Sequence, residues 1–388
     1  MIARTLAGKL IAMAKQFPVL SVTGPRQSGK STLVQNVFPD YRYVSLEDTD
    51  TRALAQDDPR SFLEHYDEHV IIDEAQRVPE LFSYMQGVVD RRGVPGQYVI
   101  SGSQNFLLMK NVSQSLAGRI AIMHLPPLSY AELADAGMTP PSIDDFLYRG
   151  GYPRIHAWGI DPVDFFPNYV ATYIERNVRN ELGVRKLAEF GTFLSLCAAR
   201  TGEILNIDSL ASDCGISVDT AKSWLSVLEQ SFIVFRLQPY YRNYGKRLIK
   251  SPKLYFYDTG LAANLLGIES PDHLFSDQHR GSLYVNAVVS EVVKGYYALG
   301  RQPKLFYWRD SSKNEIDLIV EKGGQPARVI EVKSSATYKP DAFSVIDKLG
   351  DTMGMKTNER FVVYGGHEAF ETRHGSVIGL GDLGQLVC

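Results

Sequence analysis

The chain has 388 residues, enough for two or three domains, and its 44% hydrophobic and 22% charged residues exclude a disordered or fibrous protein. Lys and Arg number 41 against 44 Asp and Glu, a net charge of −3, so any nucleic-acid contact must come from local basic patches rather than bulk attraction. Cys197, Cys214 and Cys388 lie far apart with no CxxC pair, which argues against a disulfide framework or a structural zinc. No apolar run approaches the roughly 18 residues of a membrane span, and Lys9, Lys15 and Gln16 interrupt the opening stretch, so it is not read as a cleaved signal. The expectation is a reduced, cytoplasmic protein without membrane contact.

Leu6, Leu10, Ile11 and Ala14 recur at helical spacing within residues 1–18 and predict an amphipathic helix. Short apolar runs at Val19–Thr23, Tyr41–Leu46, Val70–Ile72, Tyr98–Ser101 and Ile120–Leu125 read as buried strands, with room for helices between them. That alternation implies an α/β module, a parallel sheet covered on both faces, over residues 1–128. Residues 129–200 read as helical around the turn Gly150–Arg154. In 201–274 a helix, a turn at Gly215, a second helix from about Val218 and a β-rich hairpin follow the order of a winged helix. Residues 275–388 hold a helix (Val285–Ala298), then strands at Leu305–Arg309, Ile316–Glu321, Arg328–Val332 and Phe361–Tyr364.

Between the first strand and the next helix, Gly24, Pro25, Arg26, Gln27, Ser28, Gly29, Lys30 and Ser31 spell GxxxxGKS, followed by Thr32. Glycines let the backbone wrap close to phosphates, so that N–H groups and the helix N-terminus face negative charge. Lys30 would reach the β- and γ-phosphates of ATP and the Ser31 hydroxyl would ligate Mg²⁺. Val70-Ile71-Ile72-Asp73-Glu74 supplies the second half: a buried strand that ends with Asp73 beside the metal and Glu74 where an attacking water is polarised.

GPRQSGKST, VIIDEAQ, VISGSQ, SLAGRI, PLSY and GGYP, in this order, closely resemble the AAA-type P-loop ATPases whose C-terminal part is the domain of unknown function 4143. The resemblance implies a P-loop NTPase core with a helical lid and winged helix. It also implies that Ser103 senses the γ-phosphate or its water, with the choice between Ser103 and Gln104 open. Arg119 stands where such ATPases carry an arginine finger acting on a neighbouring subunit, which implies a homo-oligomer; the alternative is a surface arginine capping a helix. Arg154 is a weaker second-sensor candidate.

From Gln230 to Tyr257 there is no acidic side chain, while Arg236, Arg242, Lys246, Arg247, Lys250 and Lys253 interleave with Tyr240, Tyr241 and Tyr244. Cations pair with phosphates and tyrosines stack on bases, so DNA is one expected partner. Winged helices also serve as packing or protein-contact modules, so a protein partner is the other. In the last module Glu291, Asp317, Glu331 and Lys333 run in the order Glu…Asp…Glu-x-Lys. Alternation places Glu331 and Lys333 on one face of a strand, where with Asp317 they could hold Mg²⁺ and orient water. The order resembles the restriction-endonuclease-like PD-(D/E)xK core, although no proline precedes Asp317. These features together lead to the expectation of an Mg²⁺-dependent ATPase that drives DNA processing, with a protein-binding switch and an ATP-controlled nuclease as alternatives.

Overall fold

A computed structural model describes residues 2–103, 115–174, 187–240 and 251–387. The chain divides into two compact units: Met1–Pro127 with Gln230–Phe232 and Tyr297–Arg301, and Leu128–Glu229 with Ile233–Tyr296 and Gln302–Cys388.

The first unit is built on five parallel strands, β1 (Val19–Thr23), β2 (Arg42–Ser45), β3 (Val70–Asp73), β4 (Tyr98–Gly102) and β5 (Ile120–His124), in the order β2-β3-β4-β1-β5. The three central strands are buried along their whole length, which explains their unbroken apolar sequence. Alternation divides their side chains between two layers. Leu20, Val22, Ile71 and Val99 pack under α1 (Leu6–Ala14) and α2 (Lys30–Val37). Val19, Val70, Ile72, Tyr98 and Ile100 join Phe62, Phe82 and Met85 of α4 (Pro59–His65) and α5 (Leu81–Arg92), which with α3 (Thr49–Asp57) follow β2 and β3. Because β4 is inserted between β1 and β3, its carboxyl end lies between the ends of the strands that carry the glycine loop and Asp73.

The second unit combines helices with an eight-stranded mixed sheet in the order β12 (Phe370–Glu371), β13 (Ser376–Ile378), β11, β10, β9, β8, β6, β7. Its central strands are β8 (Leu305–Arg309), β9 (Glu315–Lys322), β10 (Gln325–Lys333) and β11 (Arg360–Tyr364). The two helices around Gly215 are present as Ile207–Asp213 and Val218–Gln230, with Gly215 at φ +65° in the turn. The following hairpin, β6 (Val234–Pro239) and β7 (Lys253–Phe256), does not stand apart. Gln238 and Pro239 of β6 pair in parallel with Phe306 and Tyr307 of β8, so the hairpin extends the sheet of residues 305–378.

The motif GGYP has a packing explanation. Gly150 sits at φ +63°, and a Cβ there would lie 2.2 Å from the Asp258 carboxylate. That buried carboxylate accepts the Gly151 N–H at 2.7 Å and, at 3.0 Å, the Leu261 N–H of the helix Thr259–Leu265 that it caps. Asp258→Ala leaves both buried donors without an acceptor, and should cost about 3 kcal/mol. Urea denaturation of the variant checks this; a midpoint equal to the wild type would contradict it.

Candidate nucleotide-hydrolysis site

The glycine loop links β1 to α2, and its backbone uses conformations closed to most side chains. Gln27 is at φ +61° and Gly29 at φ +91°. A Cβ on Gly24 would come 2.1 Å from the Leu125 carbonyl oxygen, so only glycine allows the loop to start so close to the end of β5. Lys30, the first residue of α2, is buried, and its Nζ donates to the carbonyls of Gly24 at 3.0 Å and Pro25 at 2.8 Å. Burial pushes its ammonium down to about 8, against the opposing pull of Glu74 and Asp73. A buried cation inside a loop of backbone donors is a site for a polyanion. The Ser28 Oγ is buried there without a hydrogen-bond partner.

Asp73 collects the neighbouring hydroxyls. Its Oδ2 accepts from Ser31 Oγ at 2.7 Å and from Tyr43 OH at 2.7 Å. Its Oδ1 accepts from the Ser101 Oγ and, at 3.1 Å, from the Glu74 N–H. Burial and this bond to Asp73 raise the Tyr43 hydroxyl well above its ordinary range, so it stays a donor. Ser31 and Asp73 therefore fit a Mg²⁺ accompanying ATP: both present oxygen, the hard ligand that ion prefers.

Glu74 is a non-glycine residue at φ +52°, a sparsely populated region that costs on the order of 1 kcal/mol. Its Oε2 accepts from Gln76 Nε2 at 2.5 Å and from Ser103 Oγ at 3.4 Å. The structure thus brings Ser31, Asp73, Glu74 and Ser103 into one network, with Lys30 bonded to the loop carbonyls beside it, while Gln104 lies outside the described residues. Ser101 and Tyr43 belong to that network too. Ser101 carries a signal in the sequence, a hydroxyl at the carboxyl end of an apolar strand; Tyr43 has none beyond its strand position.

Arg119 is held within its own chain. Its guanidinium makes a two-pronged ion pair with Asp90, with Nη2 at 2.8 Å from Oδ2. Arg154 stacks on the exposed ring of Trp158, 4.2 Å from its centroid.

His124 closes β5 beside the loop. Its Nδ1 lies 2.7 Å from Thr23 Oγ1, and its ring packs on Phe232 and Tyr297. Burial lowers its pKa from 6.5 to about 4. A depressed value means that neutral His124 supports folding above pH 6.5, and that this support is lost as pH falls through 4. Between pH 7 and pH 5 the wild type should lose about 2 kcal/mol more stability than His124→Gln, which does not titrate. Urea midpoints at the two pH values test this, and equal slopes would refute it.

In the second unit the structure brings together Asp317, Glu331 and Lys333. Asp317 Oδ2 accepts the Val332 N–H at 2.9 Å, and Lys333 Nζ donates to Glu331 Oε1 at 2.7 Å. Glu331 Oε2 is buried with no partner. Burial and then the Asp317 charge raise the Glu331 carboxyl to about 7, and burial raises Asp317 against the pull of Lys253. Among the described residues no group of three or more His, Cys, Asp or Glu side chains is arranged to hold a metal ion.

Glu291 has partners of its own: its Oε2 accepts the Tyr130 N–H at 2.7 Å and its Oε1 pairs with Lys294 at 2.7 Å, a turn away on the same helix. Lys253 is 4% exposed and ion-paired with Glu315. Arg236 is tied to Glu229 at 2.5 and 2.8 Å. Arg242, Lys246, Arg247 and Lys250 lie outside the described residues.

Comparison with known proteins agrees with the loop geometry. The sequence matches an AAA domain over residues 16–134, a domain of unknown function (DUF8612) over 140–272 and another (DUF4143) over 280–383. It is 32% identical over 340 residues to the uncharacterized proteins Rv2008c of Mycobacterium tuberculosis and Mb2031c of Mycobacterium bovis, spanning 86% of this chain and 74% of each relative. The chain belongs to the family of these mycobacterial proteins. This chain joins an N-terminal AAA-type P-loop ATPase domain to a C-terminal DUF4143 domain. The middle match, over 140–272, cuts across the lid and winged-helix segments that the sequence pattern separated. Among solved structures, the Walker-type ATPase PABY2304 of Pyrococcus abyssi is similar at 14% identity and a TM-score of 0.43, over 68% of this chain and 96% of that one. No helix among the described residues is long and apolar enough to cross a membrane.

Proposed function

We propose that the first unit hydrolyses ATP at residues 24–32, Asp73 and Glu74, and that turnover serves work on nucleic acid by the second unit. The observation that carries the first half is the single network joining Ser31, Asp73, Glu74 and Ser103 behind a loop with a buried lysine. The loop N–H groups and Lys30 bind and orient the phosphates. Ser31 and Asp73 would hold Mg²⁺, which when bound neutralises phosphate charge and fixes the geometry of transfer. Glu74, held by Gln76 and Ser103, accepts the proton of the attacking water. Arg119 would act on a neighbouring subunit's nucleotide only after release from Asp90, so oligomer assembly would exchange one carboxylate partner for a phosphate.

The work on nucleic acid is supported by two features. One is the acid-free, tyrosine-interleaved stretch that contains Arg242, Lys246, Arg247 and Lys250. The other is the Asp317–Glu331–Lys333 set, in which the unpartnered Glu331 oxygen and two carboxylates fit a divalent cation whose remaining ligands come from phosphate and water. That set favours a second reading, a restriction-endonuclease-like domain that cuts. The domain limits 1–128, 129–200, 201–274 and 275–388 are part of the same proposal.

One experiment separates the readings: ATP turnover and strand cleavage measured together, with Mg²⁺, on duplex, branched and single-stranded DNA. DNA-stimulated turnover that is lost in a Lys246/Arg247 double alanine variant supports the motor. Cleavage abolished by Glu331→Ala supports the nuclease. Turnover indifferent to every DNA, without cleavage, overturns both in favour of a protein-binding switch.

A further inference from the structure

The second unit holds a half-enclosed pocket of about 210 Å³ where β10 and β11 end. Its floor is apolar: Val362 and Tyr364 of β11, with Ala342, are all buried. Glu331 pairs with Val362 and Lys333 with Tyr364 in the parallel register of β10 and β11. Paired neighbours share a sheet face, so the pocket opens on the face that carries Glu331 and Lys333. Lys333 belongs to both: it lines the pocket, and its Nζ donates to Glu331 Oε1 at 2.7 Å.

The walls are held by bonds of their own. Beyond β10 the chain turns at Ser335, whose Oγ accepts the Thr337 N–H at 3.1 Å and donates to the Thr337 carbonyl at 3.2 Å. The Ser335 carbonyl accepts the Gly365 N–H at 2.9 Å, and a Cβ on Gly365 would lie 2.4 Å from the Ser334 carbonyl oxygen. Glycine at 365 therefore lets the segment after β10 lie against the end of β11. Tyr338 lines the pocket and stands edge-on to Phe343 and Phe370, with centroids 6.5 and 5.4 Å away. The Tyr364 hydroxyl accepts the Glu368 N–H at 3.1 Å. Among the described residues the lining holds two ammoniums, Lys333 and Lys339, against one carboxylate, Asp341; all three are exposed, which places them at the mouth.

We propose that this pocket seats the base of an unpaired nucleotide, with the adjoining phosphates on Lys333 and Lys339 beside Glu331. An apolar floor with a tyrosine wall suits the flat face of a base, and Thr337 offers a hydroxyl to its edge. The mouth decides the rest of the ligand. Two cations beside the buried, unpartnered Glu331 Oε2 suit a phosphodiester with its divalent cation rather than an apolar peptide. A base within a closed duplex is stacked on both sides and paired along its edge, so it must leave the helix before it can enter. The pocket thus selects single strands, frayed ends and flaps over closed duplex. The inference rests on the reading that the second unit works on nucleic acid, and it specifies the form of nucleic acid taken.

Equilibrium binding to the full chain, with Ca²⁺ in place of Mg²⁺ and no ATP, tests it. The probes are a single-stranded oligonucleotide carrying fluorescent purine analogues and the same strand closed in a duplex. The single strand should bind about tenfold tighter than the duplex, and its fluorescence should change on binding. Tyr338→Ala should lower the single-strand affinity about tenfold, remove the fluorescence change and leave duplex binding as it was. Lys339→Gln should weaken the single strand and reduce its salt dependence by about one phosphate contact. Thr337→Trp, on the exposed rim, should block the pocket with the same loss, which keeps the inference testable if Tyr338→Ala folds poorly. Equal affinity for the two forms overturns the pocket while the nucleic-acid reading stands. So does single-strand binding unchanged in both Tyr338→Ala and Thr337→Trp. No binding of either DNA by the wild type overturns that reading, and the pocket falls with it.

Discussion

Glu74→Gln should lower ATP turnover by roughly two to four orders of magnitude while leaving ATP affinity within a few-fold of the wild type. Glutamine keeps the length of the side chain and can still bond to Gln76 and Ser103, so the network around position 74 is retained. What it lacks is a basic oxygen to receive the proton of the attacking water. The backbone at this position is also informative. A carboxylate held at φ +52° pays a conformational cost, and such strain persists where the surrounding structure fixes the side chain for a task. Fluorescence titration of nucleotide and steady-state turnover on the same preparation check the split. Equal losses in affinity and turnover would show that Glu74 only supports the loop.

The second large effect is expected at Lys30. Lys30→Ala should weaken ATP binding by 100-fold or more, because the buried ammonium is the fixed positive charge inside the loop and losing such a partner typically costs about 2–5 kcal/mol. Stability should move little in the same variant. Burial lowers the pKa of this lysine to about 8, which means that folding pays to keep the charge there. A variant that loses ATP and keeps its unfolding midpoint is the signature of a functional charge. A variant that unfolds instead would mark Lys30 as a packing residue bonded to the carbonyls of Gly24 and Pro25.

Much of the first unit is legible in the sequence because its signals are local. A strand buried on both faces must be apolar throughout, so Val19–Thr23 and Val70–Asp73 announce themselves, and each ends directly in the residues that matter. The rest depends on which distant residues meet. Ser101 reaches Asp73 because β4 pairs with β3 in the register Ile72–Ile100, and that register is not written in either strand alone. Arg4 donates to the carbonyls of Ser28 and Pro126, 24 and 122 residues away, and no local pattern marks it.

Partners set by long-range packing are equally hidden. Lys253 belongs by sequence to a basic stretch, yet its pairing with Glu315 comes from the packing of the second unit. Order along the chain groups Glu291 with Asp317 and Glu331, while the helix that carries it places Lys294 one turn away and the Tyr130 N–H on its carboxylate. Asp317, Glu331 and Lys333 lie on adjacent strands, where alternation needs only short-range inference.

The proposed hydrolysis of ATP at the loop of residues 24–32 underlies every other step. Steady-state release of phosphate from ATP by the purified chain, with Mg²⁺ and with the Lys30→Ala variant as the blank, tests it most directly. Turnover clearly above that blank is expected. Turnover of the wild type equal to Lys30→Ala, with DNA present or absent, would contradict it.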